Sequence, residues 1–366
     1  MEYVENDLVR IAKRENNNKR NYLIVNPLQG KHIPVSPSKA LELFSNLTKP
    51  LEDEYAGERL LVIGFAETAT AIGAGVAILL NAKYIQTTRE DIADVEYLFF
   101  SEEHSHATEQ KLVKNDIDGI INDIDRIIFV EDELSTGKTI VNIISIIEKE
   151  YSKDLKFSVV SILNGMPKEN IDSYKRKNIN LHYLLKTNHE TYSEIAEEAL
   201  ENGNYYECIS KTPKDIFKLD IGDYKNPRRL VEADEYRAAC DKLWKSIKEE
   251  IGIIFKKQVL VIGTEECMFP ALYVGEQIEK MGNKVLCHST TRSPITVSLD
   301  REYPLHSRYE LKSLYDSKRR VFLYNIGEFD KVFIITDAVG GVEEGLNSLV
   351  NALQVHNNNI TLIRWC

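Results

Sequence analysis

Short apolar runs alternate with segments of helical period along most of the chain. "RLLVIGFA" (59–66), "KYIQTT" (83–88), "RIIFVED" (126–132), "KFSVVSIL" (156–163) and "NLHYLL" (180–185) read as strands. Several are apolar throughout, the pattern of strands buried on both faces in a parallel sheet covered by helices. "ETATAIGAGVAILL" (67–80), "KTIVNIISIIEKEY" (138–151) and "TYSEIAEEALENG" (191–203) carry helical period, the last with Gly203 as its stop. Such alternation predicts a doubly wound α/β sheet, whose ligands sit at the carboxyl ends of the strands. Residues 204–258 break the rhythm: "TPKDIFKLDIGDYKNPRRL" (212–230) reads as an irregular connector and "EADEYRAACDKLWKSIKEEIG" (232–252) as one amphipathic helix. The expected organisation is therefore a domain over 1–210, a connector with its helix over 211–258, and a second domain over 259–366.

The second domain repeats features of the first. "LLVIGFAETATAIGAGVAI" (60–78) has a counterpart in "VLVIGTEECMFPALYVGEQI" (259–278), "YIQTTRE" (84–90) in "HSTTRSP" (288–294), and "RIIFVEDELSTGKTIVNIISII" (126–147) in "KVFIITDAVGGVEEGLNSLVNAL" (331–353). Gly64 to Arg89 is 25 positions and Gly263 to Arg292 is 29; Gly64 to Asp132 is 68 and Gly263 to Asp337 is 74. Equal order and near-equal spacing predict an internal duplication of one Rossmann-like unit. The bland alternative is that two unrelated sheets share V-I-G strands.

Composition narrows the class. The chain is 43% hydrophobic and 28% charged, ordinary for a globular protein, and has no apolar run of membrane-spanning length. Its polar N-terminus lacks the apolar stretch of a signal peptide. Five scattered cysteines argue for a reducing, cytoplasmic setting rather than a disulfide framework or zinc site. A net charge of −11 disfavours broad nucleic-acid binding.

The chemistry gathers in "IIFVEDELSTGKTI" (127–140), where an apolar strand ends in Glu131 and Asp132 and a small hydroxylated turn follows. A Walker A loop would need glycine where Asp132 stands, so that reading fails. Two carboxylates at a strand end can accept the vicinal hydroxyls of a ribose. A helix opening at Lys138 offers its N-terminal N–H groups and positive end to a phosphate. Ser135, Thr136 and Thr139 add hydroxyls, and Gly137 lets the backbone approach closely. A solvated turn is the alternative for the acids. Together these positions describe a site for a 5-phosphoribosyl group.

The stretch resembles the diphosphoribosyl-binding motif of type I phosphoribosyltransferases. The resemblance implies that Glu131 and Asp132 hold the ribose hydroxyls, and Mg2+ indirectly through the substrate, while Ser135, Thr136, Gly137, Lys138 and Thr139 cradle the 5′-phosphate. It puts a pyrophosphate loop at "GFAETATA" (64–71), with Ala66, Glu67, Thr68 and Ala69, although that family's usual glycine pair is missing. It puts a mobile catalytic loop at "TTRE" and "FFSEEHSHATEQK" (99–111), making Arg89, His104 and His106 candidates to meet the leaving pyrophosphate. Taken alone, His104 and His106 are equally readable as surface residues, and with Glu102 and Glu103 they lack a further fixed metal ligand.

"GKHIPVSP" (30–37), "EEHSHAT" and "TTRSP" (290–294) further resemble a bacterial subgroup with a C-terminal TRSP domain, encoded near tellurium-resistance and stress-response genes. The expected activity is that of a magnesium-dependent pentosyltransferase using phosphoribosyl diphosphate and a small nitrogenous base, with a homodimer as a candidate assembly. The alternative is a non-catalytic sensor of phosphoribosyl diphosphate or a nucleotide. The second unit reads as degenerate: Thr336 replaces the first acid, and Glu343 and Glu344 stand where a phosphate would lie. Its Thr290, Thr291 and Arg292 read either as an acceptor-anion site or as an interface element, with Arg292 pairing with Asp300 or a nearby glutamate.

Overall fold

A computed structural model of the protein describes residues 3–17, 20–100, 110–209 and 212–366. These form two compact units. The first holds Tyr3, Leu43–Asn188 and Lys225–Ala238; the second holds Val4–Glu42, His189–Tyr224 and Ala239–Cys366. The units do not coincide with the division expected at 210 and 258. Residues 4–42 belong to the second because their apolar side chains are buried there: Ala12, Leu23 and Val25 cluster with Ile295, Val297, Leu305 and Tyr324. Backbone bridges from Arg14 to Ile295 and from Val35 to Cys287 add to that attachment.

The first unit is built on a six-stranded sheet. Its order is Val231–Glu232, Lys83–Gln86, Leu60–Gly64, Arg126–Leu134, Lys156–Asn164, Ile179–Lys186. All neighbours are parallel except the short Val231–Glu232 edge. The central strands are buried on both faces, as their unbroken apolar runs require. The helix Thr70–Leu80 is buried along most of its length. Lys138–Glu150 buries Ile140, Ile143, Ile144 and Ile147, one stripe at helical spacing. An antiparallel hairpin, Tyr97–Phe100 with Gln110–Val113, stands apart from the main sheet.

The second unit contains a five-stranded, all-parallel sheet in the order Phe217–Ile221, Ile360–Trp365, Lys331–Thr336, Gln258–Gly263, Lys284–Ser289. It also holds a three-stranded sheet of Asn204–Glu207, Ser307–Lys312 and Arg320–Tyr324. Phe217–Ile221 lies inside the stretch read as an irregular connector. It is an edge strand with a largely exposed side-chain row, so it carries no apolar run to betray it. The helix expected over 191–203 ends earlier, spanning Tyr192–Glu198. Among the described residues no helix is long and apolar enough to cross a membrane.

Candidate active site

The Arg126–Leu134 strand does not stop at its acids. It is buried from Arg126 to Val130, half-buried through Glu131, Asp132 and Glu133, and buried again at Leu134. Pairing with Lys156–Asn164 continues on both sides of Asp132, through Glu131↔Ser161 and Glu133↔Leu163. The acids are therefore carried on a rigid ladder rather than on a loop, and their side chains alternate faces.

The turn that follows is braced from below. Gly137, at φ +72°, caps the 13-residue helix Lys138–Glu150 without a side chain. A Cβ there would lie 2.4 Å from Met166 Sδ and 2.5 Å from Tyr174 Oη. Glycine is thus required by both the left-handed backbone and the space. Asn170 Nδ2 donates to Thr136 O at 2.8 Å, and the Tyr174 phenol donates to Gly137 O at 2.7 Å. Both donors come from one face of the helix Lys168–Arg176, four residues apart. Burial, and then the nearby Glu131 carboxylate, push the Tyr174 phenol well above its ordinary pKa, so it remains a protonated donor. Ser135, Thr136 and Thr139 are half-buried and Lys138 is exposed.

The residues expected to form the pyrophosphate loop lie between the Leu60–Gly64 strand and the Thr70–Leu80 helix. Ala66, Glu67 and Ala69 are buried and Thr68 is half-buried; the Ala66–Glu67 peptide is cis. Thr68 Oγ1 donates to Asp132 Oδ1 at 2.8 Å, which brings this loop to the acids. Ala66 N–H donates to Thr87 Oγ1 at 2.8 Å and Gln110 Nε2 donates to Ala66 O at 2.9 Å. Arg89 is half-buried in the bend after Thr88, whose backbone bridges Lys111. Lys111 pairs with Asp91 and lies 4.9 Å from the Tyr97 ring centroid. His104 and His106, with Glu102 and Glu103, lie outside the described residues. Among the described residues no three His, Cys, Asp or Glu side chains are grouped as metal ligands.

Sequence reasoning missed Thr87, Gln110, Asn170 and Tyr174. Thr87 sits inside the quoted "TTRE" and Gln110 inside the quoted "FFSEEHSHATEQK"; Asn170 and Tyr174 act across the fold and left no local signal.

In the second unit Thr290 and Thr291 are buried, Arg292 and Asp337 are half-buried, and these four make contacts of their own. Thr290 Oγ1 accepts Glu265 N–H at 2.9 Å, and Thr291 pairs its backbone with Phe322. Arg292 Nε donates to Glu265 Oε2 at 2.9 Å and its Nη2 to Glu266 Oε1 at 3.0 Å. Asp337 accepts the Tyr315 phenol at 2.5 Å and that of Tyr224 as well. Glu343 and Glu344 open the helix Glu343–Gln354, where their charge complements the positive end.

Residues 8–194 match the family model described as "Phosphoribosyl transferase", and residues 230–353 match the TRSP domain described as C-terminal to that transferase. Among solved structures, the adenine phosphoribosyltransferase of Rhodothermus marinus matches 50% of this chain and 96% of its own, at 14% identity and a TM-score of 0.35. That of Trypanosoma brucei, solved with AMP, pyrophosphate and ribose-5-phosphate, matches 50% and 76%, at 13% identity and 0.36. That of Giardia lamblia, with 9-deazaadenine, matches 50% and 95%, at 15% identity and 0.35. No curated protein matches the chain.

Proposed function

The chain belongs to the phosphoribosyl transferase family, with a TRSP domain C-terminal to it, and we propose that it transfers 5-phosphoribosyl from phosphoribosyl diphosphate to a nitrogenous base. The transferase function is assigned to the region 1–210. One observation carries the reading: a single strand delivers two carboxylates, and the turn after it is braced from below by Asn170 and Tyr174. That arrangement suits a ligand with vicinal hydroxyls at one end and a phosphate at the other.

In this reading Glu131 and Asp132 accept the ribose hydroxyls and stabilise positive charge developing at the sugar carbon. Ser135 to Thr139 hold the 5′-phosphate, and Ala66 to Ala69 line the diphosphate. Arg89, His104 and His106 meet the leaving group. The carboxylates at 131 and 132 suit Mg2+ held through the sugar, since Mg2+ binds by few carboxylates plus substrate oxygens. When bound it neutralises the departing diphosphate.

The second unit is proposed to be a degenerate duplicate of the first. In both, four adjacent parallel strands run in one spatial order: second, first, third, fourth along the chain. Its remaining carboxylate, Asp337, is occupied by two tyrosines, and two glutamates occupy the turn.

The test is pyrophosphate release by the full chain with Mg2+, phosphoribosyl diphosphate and a panel of bases, products identified by mass spectrometry. A base-dependent product with pyrophosphate release supports the transferase. Binding of phosphoribosyl diphosphate without turnover on any base, or with cell extract, supports the sensor instead.

A further inference from the structure

Ala66 is held on both sides of its backbone. Its N–H donates to Thr87 Oγ1 and its carbonyl accepts from Gln110 Nε2. Thr87 Oγ1 in turn donates to Gln110 Oε1 at 2.5 Å, closing a ring of three hydrogen bonds. Both side chains are buried, Thr87 at 0% exposure and Gln110 at 1%. Burying an amide and a hydroxyl is unfavourable unless each is fully bonded. Here both are committed to one residue of a strand-end loop, not to a strand.

The second unit treats its own strand-end loop the same way with different chemistry. Glu265, like Ala66, stands two positions after the strand-ending glycine. Its N–H donates to Thr290 Oγ1 at 2.9 Å, and its carbonyl accepts from Lys31 Nζ at 2.8 Å. Lys31 is itself fully buried. Thr87 and Thr290 are each the first threonine of a T-T-R triplet. The amide of Gln110 and the ammonium of Lys31 are unrelated donors brought from distant parts of the chain to one carbonyl position. That recurrence marks the clamp as a requirement of the loop's path.

We propose that Gln110, acting with Thr87, is a positioning residue for the diphosphate-binding loop, an inference that rests on the phosphoribosyl reading above. Its assigned role is to hold the loop, not to contact the substrate. It fixes the Ala66 end of the loop, and thereby the course of Ala66–Ala69 that leaves Thr68 on Asp132. A donor set held this way needs no reorganisation when charge arrives. The clamp serves the diphosphate half of the substrate and not the 5′-phosphate turn, which is braced separately by Asn170 and Tyr174.

Calorimetry on the full chain with Mg2+ tests this, using pyrophosphate and ribose 5-phosphate as separate probes. Gln110→Met and Thr87→Val should each weaken pyrophosphate about tenfold, the scale of a lost positioning hydrogen bond, and ribose 5-phosphate less than about threefold. Thr87→Ser, which keeps the hydroxyl, should hold pyrophosphate within about threefold of the parent. Circular dichroism checks that each variant is folded; if Gln110→Met is not, the Thr87→Val and Thr87→Ser pair decides. Equal loss of both probes, or unchanged pyrophosphate affinity in a folded variant, overturns the inference while leaving the phosphoribosyl reading intact. A parent protein that binds neither probe overturns that reading, and this inference with it.

Discussion

Thr68 Oγ1 donates to Asp132 Oδ1 at 2.8 Å. The bond ties the loop that follows the strand Leu60–Gly64 to the neighbouring parallel strand Arg126–Leu134. It makes one side chain of the proposed pyrophosphate loop the orienter of one proposed ribose acid. A carboxylate has about four lone-pair sites, so Asp132 can keep this donor and still accept a sugar hydroxyl. The loop and the acid are thus a single device.

Asp132→Asn should preserve the fold and weaken Mg2+-dependent phosphoribosyl diphosphate binding by about 1–3 kcal/mol, the scale of charged hydrogen bonds. Thr68→Val should cost less, about 1 kcal/mol, because it removes the orienter and not the acceptor. Calorimetric titration of both variants measures the two losses. An unchanged affinity in Asp132→Asn removes this residue from the sugar site.

Gly137→Ala should harm both stability and phosphate binding. The φ of +72° disfavours any side chain, and the added carbon meets Met166 Sδ at 2.4 Å. A strained backbone of this kind costs about 1–3 kcal/mol, before the displacement of Tyr174 is counted. Urea unfolding should show a lowered midpoint, and ribose 5-phosphate affinity should fall with it. Tyr174→Phe, which loses only the bond to Gly137 O, should show a smaller effect of about 1 kcal/mol.

The strand, the acids, the turn and the opening of the helix were legible because they fall within 14 consecutive residues, 127–140. Local pattern and side-chain chemistry describe most of such a stretch, although the strand runs on to Leu134 past the acids where it was expected to end. What holds it was not legible. Tyr174 reaches Gly137 across 37 positions, Gln110 reaches Ala66 across 44, and Lys31 reaches Glu265 across 234. No periodicity encodes a hydrogen bond of that kind. The placement of residues 4–42 in the second unit escaped for the same reason, since their short apolar runs look alike whichever core they join. His104 and His106 lie outside the described residues.

His288 should make the protein's stability depend on pH. It is fully buried, and burial holds its imidazole down at about 4, with the Lys31 ammonium adding to the effect. Two carbonyls oppose this: Nε2 lies 2.8 Å from Tyr324 O and Nδ1 lies 3.4 Å from Gly30 O. Neutral imidazole has one N–H, which fits a donor at the shorter contact and a bare nitrogen at the longer. Because the folded pKa lies below the unfolded one, the unfolded chain binds more protons in the window between them. The stability is complete above about pH 6.5 and falls as pH drops toward 4, by roughly 3 kcal/mol in all at 1.36 kcal/mol per pKa unit. Thermal melts at pH 7 and pH 5 should differ in the parent and differ less in His288→Gln. Equal slopes in both proteins would assign the pH dependence to other groups.

The last prediction concerns Arg292, read from sequence either as an anion site or as a partner of an acid. Its acids are Glu265 and Glu266, whose side chains are 1% and 0% exposed, while its own is 10% exposed. Glu265 is also held by Arg319 at 2.9 Å and by the Ser313 hydroxyl. Taking ions out of water is costly, so each is tolerable only while its partners remain. Arg292→Ala should therefore destabilise the chain by about 3–5 kcal/mol, the scale of a broken buried pair. Glu265 keeps two of its partners, Arg319 and Ser313, in that variant. Removing both members of the second pair, in Arg292→Met with Glu266→Leu, replaces the charges with apolar groups and should recover more than about 1 kcal/mol over Arg292→Ala. Urea denaturation of the two variants and the parent measures the difference. If the double variant is less stable than Arg292→Ala, Arg292 is not there to neutralise Glu266, and an exogenous anion becomes the better account of its position.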